Sequence, residues 1–172
     1  MSALTKKTFT TEHGVVCYYV TEPKDKTIVL LHGLSANHTT WNTTAEALFH
    51  AGYGVIVPDL RGHGDSDKTI DHARYTISQF TYDLDCILKQ EKVTQAILVG
   101  YSFGGSVALE YAVENAEKLS GLVLISANHV NPFKYKRAGN MLPVITRLLD
   151  VVGYALSWYR PKTFLPYNPE LS

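Results

Sequence analysis

Four runs of this chain are apolar without alternation: IVLLH at 28–32, VIVPD at 55–59, AILVG at 96–100 and LVLISA at 122–127. A strand with one wet face alternates polar and apolar residues, so unbroken runs of this length predict strands buried on both faces, as in a parallel sheet. Between the runs the pattern turns helical. Residues 41–51 predict one helix, stopped near Gly52, and residues 103–115 predict another. In the segment 75–90, Ile77, Phe80, Leu84, Ile87 and Leu88 fall on one helical face. Thr76 with Gln79 has the spacing of a capping box there, and Tyr75 with Phe80 that of a hydrophobic staple. Two earlier strands are expected at 8–11 and 15–20. Strand and helix alternate with short connections, which is the pattern of an α/β fold: a mainly parallel sheet with flanking helices.

Composition narrows the partners. The 172 residues carry 16 basic and 16 acidic side chains, a balance that gives no support for nucleic-acid binding. The distribution is uneven, with ten basic and fourteen acidic residues in 1–128 and six against two in 129–172. Two cysteines, Cys17 and Cys86, make no disulfide framework and have no metal-ligand spacing. The N-terminus lacks an apolar core and does not read as a signal peptide. The most apolar stretch, 141–159, is interrupted by Arg147 and Asp150. A cytoplasmic location is therefore expected, with no cofactor and no metal.

The candidate chemistry sits at the ends of the apolar runs. Gly100-Tyr101-Ser102-Phe103-Gly104 fits G-x-S-x-G directly after one buried strand and directly before one helix. That context is the one a nucleophile elbow requires. Gly100 and Gly104 are expected because the residues two before and two after the serine nearly touch. The helix beginning at Phe103 directs free N–H groups and a positive dipole end toward the same place. A strand-to-helix turn that merely contains a serine is the competing reading of this segment alone.

A second segment, LLHGLSANHTTW at 30–41, puts His32 and Gly33 at the end of a neighbouring strand. Gly33 allows close backbone approach, so the Leu34 N–H can join the Phe103 N–H as a two-donor oxyanion hole. The His32 side chain is expected only to brace this loop. In the third segment, PDLRGHGDSD at 58–67, Arg61, His63 and Asp65 invite a metal or acid–base role. A loop pinned by local hydrogen bonds is the preferred expectation.

Taken in order, HG, DLRGHGDS and GYSFGG resemble the α/β-hydrolase superfamily, in its cap-bearing esterase and lipase-like branch, over about residues 15–128. The resemblance implies Ser102 as nucleophile, Leu34 and Phe103 as oxyanion donors, and an ester or related acyl compound as small-molecule substrate. Relatives with aspartate at the elbow cleave epoxides or carbon–halogen bonds, and the serine here argues against both chemistries. The same resemblance implies a later acid and histidine. After Ser102 the only histidine is His129, and the acids are Glu110, Glu114, Glu117, Asp150 and Glu170. None has the expected place, so the chain reads as the N-terminal part of the fold, with 129–172 as the start of a cap rich in proline and aromatic residues. His129 as a substitute base is the lesser alternative. Lys134, Lys136, Arg137, Arg147, Arg160 and Lys162 read as a solvated face rather than as a contact for an anionic substrate or a membrane surface. Two further functions stay open: a binding module that has lost catalysis, and carbon–carbon bond hydrolysis or acyl transfer on the same fold.

Overall fold

The computed structural model of the protein describes residues 4–11 and 14–127. Six strands form one sheet: β1 (Thr5–Thr11), β2 (Gly14–Val20), β3 (Thr27–Leu31), β4 (Gly54–Pro58), β5 (Ala96–Tyr101) and β6 (Leu119–Ile125). Their spatial order is β1-β2-β4-β3-β5-β6. β1 pairs with β2, and β2 with β4, antiparallel; the β3–β4, β3–β5 and β5–β6 pairs are parallel. Three helices follow the expected places: α1 (Asn42–His50), α2 (Ile77–Gln90) and α3 (Phe103–Glu114).

The unbroken apolar runs have the predicted cause. Alternate residues of β3 and β4 serve two separate cores. Val29, Leu31 and Ile56 pack with Phe80, Leu84 and Ile87 of α2 and with Val107 and Tyr111 of α3. Ile28, Leu30, Val55 and Val57 face the other way, against Trp41 and Ala45. The sheet is thus covered on both sides along its centre, and the fully buried residues of these strands, 28–31 and 54–58, are all apolar or glycine.

One expectation fails, for a visible reason. The capping box at the start of α2 does not form, because the Gln79 N–H is already taken by the Thr76 carbonyl at 3.0 Å. The staple partners do meet, with the Tyr75 and Phe80 rings 6.5 Å apart. Among the described residues, β6 is less covered than the central strands. It is the edge of the described sheet, and Val123 is 47% exposed there. Among the described residues nothing pairs with its outer side. The expected cap segment, 129–172, and His129 lie outside the described residues. Among the described residues, no helix is long and apolar enough to cross a membrane.

Because β3, β4, β5 and β6 run parallel, their C-terminal ends emerge on one edge of the sheet. The loops leaving that edge carry His32–Leu34, Asp59–Ser66 and Ser102. In an open α/β sheet this is the edge where ligands bind.

Candidate active site

Ser102 occupies the single residue between β5 and α3, with φ 50° and ψ −114°. A serine at positive φ is held in a sparsely populated conformation, and such strain persists only where the surroundings enforce it. The enforcement is visible. Ser102 N–H donates to the Ile125 carbonyl at 2.9 Å, and the Ser102 carbonyl accepts from Gly105 N–H at 3.0 Å. The Phe103 ring meets the Phe80 ring edge-on at 5.1 Å, which anchors the first turn of α3 on α2.

The two glycines of the turn are there for space. A Cβ on Gly100 would lie 2.5 Å from both the Gly104 carbonyl oxygen and the Gly105 Cα. A Cβ on Gly104 would collide with the Leu31 carbonyl and stand 2.5 Å from the His32 carbonyl oxygen. Residues 100 and 104 do nearly touch, as the motif predicts. Gly104 also brings α3 directly against the end of β3.

The His32–Leu34 segment lies beside the serine. A Cβ on Gly33 would be 3.4 Å from Ser102 Cβ and 3.1 Å from the Tyr101 ring. The Gly33 carbonyl accepts from His32 Nδ1 at 2.8 Å and from Ala36 N–H at 3.3 Å. His32 Nε2 accepts from the Leu60 N–H at 3.0 Å. This fixes the tautomer: Nε2 is the acceptor, so Nδ1 carries the proton that it gives to Gly33. Burial pushes the ring's pKa down, against the pull of the Gly33 carbonyl, and so favours the neutral form that this arrangement needs. The C=O and N–H of one peptide point in opposite directions. Holding the Gly33 carbonyl therefore orients the Leu34 N–H, and among the described residues that N–H has no backbone partner. The Leu34 side chain is 62% exposed and Tyr101 41%, so both present apolar surface at this edge.

The third loop holds no metal cluster: among the described residues no three His, Cys, Asp or Glu side chains are grouped to bind one. Arg61 instead forms a buried two-point pair with Asp83, at 3.0 and 2.6 Å. His63 bonds the Arg61 carbonyl at 2.9 Å, and Asp65 accepts from Lys6 at 2.6 Å and from Tyr19 at 2.7 Å. The loop is pinned by local hydrogen bonds as expected, among them Gly62 N–H to the Asp67 carbonyl, His63 N–H to the Leu60 carbonyl and Ser66 N–H to the His63 carbonyl, and it is also tied to residues distant in sequence. Sequence reasoning passed over Asp59, which is fully buried and bonds His38. Its signal was a carboxylate ending a wholly apolar run, just ahead of Gly62 and Gly64.

The model of the alpha/beta hydrolase fold family matches residues 26–163, most of the chain. The chain belongs to the alpha/beta hydrolase fold family. It is 34% identical over 122 residues to an uncharacterized protein of Mycobacterium tuberculosis, covering 71% of this chain and 35% of that protein. It is 35% identical over 104 residues to a mouse (Mus musculus) sn-1-specific diacylglycerol lipase, covering 60% of this chain and 33% of the lipase. Among solved structures it is similar to a mutant epoxide hydrolase of Vigna radiata, with a TM-score of 0.72 at 22% identity, over 81% of this chain and 46% of that one. The chain spans about a third of the length of these two curated relatives. Its fold is thus that of hydrolases whose named substrates differ, and what separates them must be sought in individual residues of the site.

Proposed function

We propose that this hydrolase-fold chain carries the nucleophile and oxyanion donors of a serine esterase acting on small acyl compounds. Ser102 Oγ attacks the ester carbonyl carbon, and the alcohol leaves with a proton. Water then cleaves the acyl-serine bond, releasing the acid and restoring the hydroxyl. The Leu34 and Phe103 amides stabilise the oxyanion, while Gly100 and Gly104 make the turn and His32 and Gly33 hold the Leu34 peptide. The observation that carries this reading is Ser102 at positive φ between β5 and α3, with Gly33 against it. The mouse relative, named as a diacylglycerol lipase, acts on an ester. In the resemblance described above, epoxide-cleaving relatives carry aspartate at this turn, and this chain has serine.

Among the described residues no hydrogen bond joins the Ser102 hydroxyl to a histidine or carboxylate, so the proton acceptor in this proposal comes from outside them. His129 is the first residue to test for it. A serine without a base is a weak nucleophile, so an intrinsically reactive probe is the right reagent. A fluorophosphonate incubated with the folded chain is expected to add its mass to the peptide containing Ser102, and Ser102→Ala should take no adduct there. An adduct of equal yield in Ser102→Ala, or none at Ser102 in the folded protein, overturns the esterase reading. The second of these outcomes would favour a binding module.

A further inference from the structure

The Asp59 carboxylate is fully buried at the C-terminal end of β4. A buried carboxylate is costly unless its oxygens are satisfied. Here three donors satisfy it: His38 N–H at 2.7 Å, His38 Nδ1 at 2.9 and 3.0 Å, and Asp65 N–H at 2.8 Å. The post itself is fixed. Asp59 N–H donates to the Cys17 carbonyl at 2.9 Å, and the Asp59 carbonyl accepts from Ser66 Oγ at 2.6 Å, which ties it to β2. Gly64, at φ +50°, leaves room for the carboxylate, since a Cβ there would overlap it. The His38 ring also stacks on Tyr19 at 3.6 Å.

His38 ends the segment that begins at Gly33. The other end is held by His32, whose Nε2 takes the Leu60 N–H. Consecutive residues 59 and 60 therefore grip both ends of one short loop, with exposed Leu34 and a left-handed Ser35 (φ 62°) between them. With only five residues between His32 and His38, a shift at His38 has little slack to absorb it before it reaches the Leu34 peptide.

We propose that Asp59 is a positioning residue: by holding His38 through both its backbone N–H and its ring, it sets the direction of the Leu34 amide beside Ser102. This rests on the reading of Leu34 as an oxyanion donor. Asp59 touches no substrate, and it acts through the loop.

The test compares the full chain with Asp59→Ala, Asp59→Asn and Ser66→Ala. Ser66→Ala weakens the tie of Asp59 to β2 but leaves its carboxylate in place. The maximal rate of Ser102 modification by a fluorophosphonate is measured apart from the probe concentration at half-maximal rate, and amide exchange is followed over 33–38. Small misplacements at a reacting centre cost up to about 100-fold, so Asp59→Ala should slow the maximal rate by about tenfold or more, with little change in the half-maximal concentration. Exchange over 33–38 should quicken. Asp59→Asn, which keeps one oxygen for His38, should recover part of the rate. Ser66→Ala should lower stability without slowing modification. Equal rates in Asp59→Ala and wild type, or equal slowing in Ser66→Ala, overturn the proposal. If wild-type Ser102 takes no probe, the esterase reading falls on its own. Exchange then decides the positioning role: faster exchange over 33–38 in Asp59→Ala but not in Ser66→Ala upholds it, and any other pattern overturns it. If Asp59→Ala does not fold, His38→Ala replaces it, with a smaller slowing, about threefold, because the backbone bond to Asp59 survives; no slowing there overturns the proposal.

Discussion

Gly104→Val is expected to destabilise the chain by about 3 kcal/mol or more, at or beyond the upper end of ordinary overpacking. The added Cβ meets the carbonyl groups of Leu31 and His32, which are backbone atoms of a central strand and its exit. A flexible side chain could rotate away, but these carbonyls cannot move without opening β3. The relief open to the molecule is to push α3 outward, which releases the turn at Ser102. Urea unfolding measures the loss, and fluorophosphonate labelling measures the turn. Gly121→Ala is the control, because a Cβ there meets Ile97 at an ordinary 3.5 Å and should shift stability by no more than about 1 kcal/mol. Equal stabilities for Gly104→Val and wild type would refute the steric account of the elbow.

Asp83→Ala should cost about 3–5 kcal/mol, because it strands a buried guanidinium. The Arg61 and Asp83 side chains are only 4% and 6% exposed, and they share two hydrogen bonds. Removing both charges is expected to hurt less than removing one. An Arg61→Met, Asp83→Leu double variant should therefore recover much of the loss, and a double-mutant cycle reports the coupling directly. If the double variant were as unstable as Asp83→Ala, the stranded charge would not be the cause. This pair anchors the loop that carries Asp59 to α2, so it supports the site from a distance without touching it.

The central strands were legible because burial on both faces leaves a one-dimensional record, an apolar run with no alternation. The elbow was legible for a related reason. Steric exclusion at Gly100 and Gly104 is a strict demand on residue type, and it sits at fixed spacing around Ser102. The apolar run of β6 is that of a strand suited to cover on both faces, and among the described residues its outer edge is unpaired. The capping box failed because its spacing says nothing about which acceptor the Gln79 N–H will take, and it takes the Thr76 carbonyl. Asp59 was missed for a deeper reason. Its partners His38, Asp65 and Cys17 converge only after three strands pair. A single buried carboxylate has no periodicity. Arg61, His63 and Asp65 drew attention as a charged cluster, yet Arg61 is bound to Asp83 of α2, Asp65 to Lys6 and Tyr19, and His63 to the Arg61 carbonyl of its own loop.

The most direct measurement of the account is a crystal structure of the chain after phosphonylation. It should show phosphorus bonded to Ser102 Oγ, with one phosphoryl oxygen about 3 Å from both the Leu34 and Phe103 amide nitrogens, and with residue 102 still at positive φ. An adduct whose phosphoryl oxygen points away from both amides, or a Ser102 relaxed to negative φ, would contradict it.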